Sequence, residues 1–410
     1  MGNNLLIAQS GGPTVAINAT LVGILKRAKE RREVDKIYGA RYGIKGILSG
    51  NIFDLESKLK VNMQDILIKT PAAALGSCRY KLNSIGSSEL EYEKILNIFK
   101  EYKIKYFIYI GGNDSMDTVQ KLSEYIKIKN FHDIFIIGAP KTIDNDLFGT
   151  DHTPGFGSAA KFVATTFKEL DRDCATYDVK AVTLVEIMGR DTGWLTAASA
   201  LCRSSDTYGP DLIYCCERTF NIDRFLNSVQ EKIKSKPNVL VAISEGIKDS
   251  VGRYISDIGT NNEKDMFGHK QNSGCAKYLE GLLKQNFSFK VRSVELNILQ
   301  RCASHLASKT DILESIAVGR KSVDLVVEGY SNVMVSINRC LNSDFYRVEY
   351  GFVDVNSVAN RVKMLPDDFI DSSGVDVTKK AILYLRPLIE GEVDITYYNG
   401  LPVFVNLFNN

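Results

Sequence analysis

Strand-like and helix-like segments alternate along nearly the whole 410-residue chain, a pattern that leaves few folds open. Candidate strands are Asn4–Gln9, Lys36–Ala40, Lys105–Ile110, Asp133–Gly138, Ala181–Met188, Asp211–Glu217, Val239–Ser244, Arg292–Leu296 and Asn332–Ile337. Amphipathic stretches lie between most of them, such as Leu90–Tyr102, Asp114–Lys129 and Ser158–Thr176. Short apolar runs suit strands buried on both faces, and intervening helices supply the crossovers that parallel strands need. The pattern therefore predicts an α/β protein with parallel sheets flanked by helices. A chain this long is expected to hold two domains. The polar, glycine-containing segment Lys248–Lys270 is expected as a long excursion near the functional site. The C-terminal stretch, with Pro366, Pro387 and Pro402, is predicted to be an irregular wrap.

Composition excludes several classes of function. A net charge of +2 gives no reason to expect nucleic acid or a membrane surface as partner. The eight cysteines include no CxxC pair and there are four histidines in all, so no zinc site is expected. Buried free thiols in a reducing compartment account for them most simply. The N-terminal Met1-Gly-Asn-Asn leads into a short apolar run, which does not read as a signal peptide. No stretch approaches the ~18–20 apolar residues of a membrane span. A cytoplasmic protein is the expectation.

The chemistry-bearing motifs fall at the ends of the candidate strands. Pro140-Lys-Thr-Ile-Asp-Asn-Asp146 follows the run Asp133–Gly138 and delivers a lysine and two aspartates to a strand's carboxyl end. In open α/β sheets ligands bind at that edge. A base beside a cation suits activation of a hydroxyl for attack on phosphorus; a polar strand-to-loop junction is the structural alternative. Ser10-Gly-Gly-Pro13 follows the first strand, where bare backbone can approach a phosphate at a helix N-terminus. Neither GxGxxG nor GxxxxGK[ST] is present, so the common dinucleotide and nucleotide-triphosphate cradles are missing. In Leu75-Gly-Ser-Cys-Arg-Tyr-Lys81, Arg79 and Lys81 would aim at one anion if the segment is extended. A solvated surface pair is the alternative.

Gly111-Gly-Asn-Asp-Ser-Met-Asp117 again opens a helix after a strand, here with a carboxylate in the turn. Near a phosphate, Asp114 would bind Mg²⁺ or exclude a competing anion. Helix capping by Asn113, Asp114 or Ser115 is compatible with either. Met188-Gly-Arg-Asp-Thr-Gly-Trp194 adds Arg190, suited to bidentate phosphate contact. Glu245, in Ser244-Glu-Gly246, suits sugar hydroxyls, and Arg292 and Arg301 form a basic set; surface ion pairing is the alternative for each.

In this order the segments resemble the 6-phosphofructokinase family, specifically its pyrophosphate-dependent branch. The resemblance covers essentially the whole chain. It includes Thr150-Asp-His-Thr-Pro-Gly-Phe-Gly157, Phe267-Gly-His-Lys-Gln271, Gln300-Arg-Cys-Ala-Ser-His305 and Asn399-Gly-Leu-Pro402. It implies two doubly wound, Rossmann-like α/β domains facing across a catalytic cleft. Residues 1–150 with about 300–350 would form the pyrophosphate domain, and 151–299 with about 351–410 the sugar-phosphate domain. The implied reaction is reversible phosphoryl transfer from pyrophosphate to fructose 6-phosphate, a step in glycolysis and gluconeogenesis. By the same resemblance Asp144 is the general base on the sugar 1-hydroxyl, with Thr142 and Ile143 lining its pocket. Met188, Gly189, Arg190 and Glu245 would bind fructose 6-phosphate, with Arg301 and position 298 in the same set. Gly12, Arg79, Lys81, Lys141 and the Gly-Gly-Asn-Asp loop would serve pyrophosphate and its Mg²⁺. Lys180 and Arg292 would complete a neighbouring subunit's site, implying a homodimer or homotetramer.

Two positions choose the donor. ATP-using relatives carry glycine at the positions of Asp114 and Lys141. The carboxylate would oppose an α-phosphate, and the lysine would neutralise pyrophosphate directly. Two departures stand out. The family's metal-binding aspartate falls on Asn113, and its usual Tyr or His donor falls on Ile298. Other sugar phosphates, such as sedoheptulose 7-phosphate, and a non-catalytic binding subunit stay open.

Overall fold

The computed structural model describes residues 2–176, 178–258, 274–340 and 342–408. Residues 259–270 of the expected excursion, and with them the Phe267–Gln271 block, lie outside the described residues. The strands of the two larger sheets are β1 (Asn4–Gln9), β2 (Ile37–Ala40), β3 (Ile52–Asp54), β4 (Ile104–Gly111) and β5 (Phe135–Pro140). Next come β6 (Ala181–Ile187), β7 (Leu212–Tyr214), β8 (Asn238–Ser244) and β9 (Lys290–Glu295), then β10 (Val333–Arg339) and β11 (Val348–Asp354). The longer helices are α1 (Ile17–Glu30), α2 (Glu89–Glu101), α3 (Asn113–Ile128) and α4 (Phe156–Ala175), followed by α5 (Ile222–Ser235), α6 (Cys275–Asn286) and α7 (Lys309–Val327).

The chain divides into two units. The first comprises Met1–Ser158, Arg301–Val362 and Glu390–Asn410, and the second Ala159–Gln300 and Lys363–Ile389. The sequence reading puts everything after about 350 in the second domain, whereas residues 351–362 and 390–410 belong to the first unit. Hydrogen bonds explain the difference. β11 pairs antiparallel with β10 along its whole length. Lys309 N–H donates to Gly391 O at 3.1 Å, and Val405 N–H donates to Thr70 Oγ1 at 3.1 Å.

The first unit is built on a seven-stranded sheet in the order β11-β10-β5-β4-β1-β2-β3. Its five inner strands run parallel, and β3 and β11 close the two edges antiparallel. The sheet is buried on both faces, as the unbroken apolar run of β4 requires. Side chains of β4 alternate between two cores. Tyr106, Ile108 and Ile110 pack with α1 and α7, while Phe107 and Tyr109 pack with α2 and α3. α1 and α7 touch backbone to backbone, because a Cβ on Gly319 would stand 2.2 Å from Thr20 O. Glycine costs about 1 kcal/mol in a helix interior, and here it permits that approach.

The second unit holds a four-stranded, wholly parallel sheet in the order β7-β8-β6-β9. Phe225, Val229 and Ile233 of α5 and Leu279 and Leu283 of α6 cover it. None of the eight cysteines forms a disulfide; Cys174, Cys202, Cys215 and Cys275 are buried, but Cys302 is exposed. No helix among the described residues is long and apolar enough to cross a membrane.

Candidate active site

In the first unit, β1 ends at the glycine loop and Thr14 turns the chain into α1. Thr14 Oγ1 accepts the N–H groups of Ala16 at 3.2 Å and Ile17 at 2.9 Å, satisfying donors that a helix start leaves open. Gly11 has φ +76°. The Leu75–Lys81 segment lies against this loop: Gly11 N–H donates to Cys78 O at 3.3 Å, and Ser77 Oγ donates to Gly11 O at 2.6 Å. Arg79 lines a cavity of about 560 Å³ with Tyr42, Lys45, Ser77 and Tyr80. Lys81 is exposed and does not line it.

Lys141, next after β5, is only 2% exposed. Its N–H donates to Gly111 O at 2.9 Å, and its Nζ donates to Gly12 O at 2.6 Å. Burial pushes the ammonium down to about 8, against the upward pull of Asp144 and Asp146; Arg301 adds to the fall. The sequence reading groups Arg301 with the sugar-phosphate cations. In the structure it belongs to the first unit and its guanidinium stands 3.2 Å from where a Gly12 Cβ would be. Two cations and a stretch of bare backbone thus share one place, a setting for a polyanion.

The turn that follows presents the candidate base. Thr142 Oγ1 accepts Asp144 N–H at 3.1 Å, and Asn145, fully buried, takes φ +54°. Asparagine tolerates that left-handed conformation better than most residues do. Ile143 is buried, while Asp144 and Asp146 are half-buried. On the other side, Gly112 precedes α3, whose first turn carries an exposed Asp114. Asn113, the expected metal position, is engaged in the protein. Its Oδ1 accepts Asn360 N–H at 2.6 Å and its Nδ2 donates to Arg361 O at 2.6 Å, so the amide clasps the chain after β11. Among the described residues no cluster of three or more His, Cys, Asp or Glu could hold a metal ion.

In the second unit, Met188-Gly189-Arg190 follows β6 and Glu245 follows β8. The two strand ends are tied together: Gly189 N–H donates to Glu245 Oε1 at 3.1 Å, and Ser244 Oγ donates to Gly189 O at 2.7 Å. A Cβ on Gly246 would stand 1.9 Å from Arg190 O, so glycine is required there. Burial raises the Glu245 carboxyl above its usual range, opposed by the Gly189 N–H and by Arg190. The exposed Arg190 guanidinium lies over the Tyr254 ring at 4.8 Å, and its partnership with Tyr254 raises its pKa. Glu217 fixes the rest of the loop by accepting Gly193 N–H at 2.8 Å and Leu365 N–H at 3.0 Å. Sequence reasoning missed Tyr254 and Glu217. Both act through pairings distant in sequence, and neither belongs to a motif.

Lys180 is exposed. Arg292 pairs with Asp173 at 3.3 Å, and its buried Nε has no partner among the described residues. Ile298 is 55% exposed on the short turn Asn297–Arg301.

Comparison with known proteins places the chain in a family. Residues 4–326 match the family model described as Phosphofructokinase. A pyrophosphate–fructose 6-phosphate 1-phosphotransferase of Xanthomonas campestris pv. campestris (strain B100) is 39% identical, covering 99% of this chain and 96% of that one. A sulfofructose kinase of Alkalicoccus urumqiensis is 31% identical over 89% of this chain and 91% of its own. The crystal structure of a pyrophosphate-dependent phosphofructokinase from Nitrosospira multiformis superposes with a TM-score of 0.89 at 36% identity, covering 100% of this chain and 98% of that one. The chain belongs to the phosphofructokinase family.

Proposed function

We propose that this protein catalyses reversible transfer of a phosphoryl group from pyrophosphate to the 1-hydroxyl of fructose 6-phosphate, a step of glycolysis and gluconeogenesis. The buried Lys141, bonded to Gly12 O in the segment that carries Asp144, is the observation that carries the reading. Relatives named for this reaction, 37–39% identical over nearly the full chain, support it.

Asp144 takes the proton of the 1-hydroxyl as its oxygen attacks the terminal phosphorus. The anhydride P–O bond breaks and phosphate leaves, giving fructose 1,6-bisphosphate. Lys141, Arg301, Arg79 and Lys81 supply positive charge for the donor, with the glycine loop offering backbone at close range. Such a reaction depends on positioning and charge stabilisation more than on covalent chemistry. Met188, Gly189, Arg190 and Glu245 hold the sugar phosphate, with Thr142 and Ile143 beside the reacting hydroxyl. Mg²⁺ would be held largely by the oxygens of pyrophosphate itself, because the described residues bring no cluster of three carboxylates together and the Asn113 oxygen is engaged. Bound to pyrophosphate, the ion would neutralise charge that develops on the leaving group.

Lys180 and Arg292 belong, in this proposal, at the contact of a homodimer or homotetramer, and the buried Arg292 Nε without a partner among the described residues supports that place. Eight cysteines without a disulfide suit a cytoplasmic location.

A second reading, the same chemistry on another anionic ketose, draws on the exposed Ile298 and on the sulfofructose kinase relative. Lys180, Arg190 and Arg292 suit a dianionic phosphate better than a singly charged sulfonate, which favours the first. Retention of Lys141, Asp144 and Arg190 argues against a non-catalytic subunit.

The test is purified protein with Mg²⁺, pyrophosphate and fructose 6-phosphate, fructose 1,6-bisphosphate being measured. Asp144→Ala should lower kcat ~10²–10⁴-fold, as loss of a general base does. A variant keeping more than about half the wild-type kcat would exclude the role. Sedimentation equilibrium of the same preparation should give the mass of two or four chains; a monomer would remove that part of the proposal.

A further inference from the structure

The chain after the Asp144 turn is anchored more heavily than a connection requires. Asp151 N–H donates to Ile337 O at 2.8 Å, and Thr150 Oγ1 accepts Ile337 N–H at 2.9 Å. The His152 imidazole, 3% exposed, lies between two carboxylates. Its Nδ1 is 2.8 Å from Asp151 and its Nε2 is 2.5 Å from Glu314 on α7. Glu314 also accepts the Tyr346 hydroxyl at 2.7 Å, and Asp151 meets Arg339 at 3.2 Å. One helical turn before Glu314, the buried Asp311 accepts Gly155 N–H at 2.8 Å and the N–H and Oγ of Ser158 at 3.0 and 2.5 Å. Buried ionic groups are costly, and fixing one geometry is a use that justifies them.

The other side of this segment faces the candidate base. Thr153 Oγ1 donates to Thr142 O at 2.9 Å, and Thr142 N–H donates to Pro154 O at 3.2 Å. Both backbone groups of Thr142 are therefore held here, while its hydroxyl accepts Asp144 N–H. A Cβ on Gly155 would come within 2.7 Å of Thr14, so the same segment abuts the start of α1 beyond the glycine loop.

We propose that His152, Glu314 and Asp311 are positioning residues: acting through Thr153 and Pro154 they fix Thr142, and with it the direction of the Asp144 carboxylate. The inference rests on the reading of Asp144 as base. A displacement of 1 Å can cost about 10²-fold in rate, so a small loosening of this anchorage is enough to be measured.

Thr153→Val keeps the buried volume and removes the bond to Thr142 O. It should lower kcat about tenfold or more while each KM moves less than about twofold, and Thr153→Ser should restore kcat to within about threefold of wild type. Glu314→Gln should lower kcat in the same way, with no further loss when combined with Asp144→Ala, because both act on one group. Wild-type kcat in Thr153→Val, a loss that Thr153→Ser does not reverse, or a raised KM at unchanged kcat would overturn the inference. If Glu314→Gln fails to fold, the Thr153 pair still decides it. An inactive Asp144→Ala beside a normal Thr153→Val would sink this inference alone. An active Asp144→Ala would overturn the base assignment and this inference together.

Discussion

In the proposed mechanism Lys141 is the residue on which the donor chemistry turns, and its ionisation makes pH a probe of it. Its ammonium is buried and pushed down to about 8, below the ordinary lysine value near 10.4. The folded state therefore favours the neutral lysine, so stability rises as pH climbs from about 8 towards the unfolded value. Binding runs the other way, since only the charged form attracts pyrophosphate. The kcat/KM for pyrophosphate should fall as pH rises through about 8, and Lys141→Arg should remove that limb because arginine stays charged. A limb that persists in Lys141→Arg would assign it to another group. At this scale the sequence was informative where the chemistry is local. Lys141 and Asp144 lie in one heptapeptide, and the strand before it announced where they would emerge. The closeness of Arg301 to Gly12 is not legible in the sequence, because the two are far apart in the chain. The clasp of Asn113 on Asn360 and Arg361 is not legible either, because those partners follow an edge strand that no motif marks.

Elements place the two sets of candidate residues by ending where they do. β1, β4 and β5 end in the first unit at Gly11–Gly12, Gly111–Gly112 and Lys141, while β6 and β8 end in the second at Met188–Arg190 and Glu245. The close approach of Gly246 to Arg190 O joins the last two ends. Gly246→Ala would place a Cβ 1.9 Å from that oxygen, which forces the Arg190 loop to shift by more than 1 Å. The kcat/KM for fructose 6-phosphate should drop about 10²-fold, with KM for pyrophosphate unchanged. An unaltered acceptor kcat/KM would show that the loop does not set sugar-phosphate binding. The inner strands were legible because burial on both faces writes an unbroken apolar run. β3 and β11 were not. Each is an antiparallel edge strand, half exposed, so its composition resembles a loop. β11 in turn explains why residues 351–362 stay with the first unit.

At the scale of the whole molecule the proposal divides the labour between two units, the first supplying donor residues and the base and the second supplying sugar-phosphate residues. This division follows the strand ends and the family, and length with alternation was enough to suggest two α/β units. The course of the C-terminal chain was hidden, because residues 390–408 are held by bonds such as those of Ser308 and Thr310 to Glu390 O and of Val405 N–H to Thr70 Oγ1, with no periodic apolar pattern. Pyrophosphate rather than ATP as donor is the central claim, and Asp114 is its most exposed point. The direct measurement is the ratio of kcat/KM for pyrophosphate to that for ATP, at matched Mg²⁺, in the wild type and in Asp114→Gly. The account predicts negligible turnover with ATP in the wild type. In Asp114→Gly, ATP should become a measurable donor while the pyrophosphate rate falls. A wild-type protein that prefers ATP, or an Asp114→Gly variant whose ratio does not move, would contradict it.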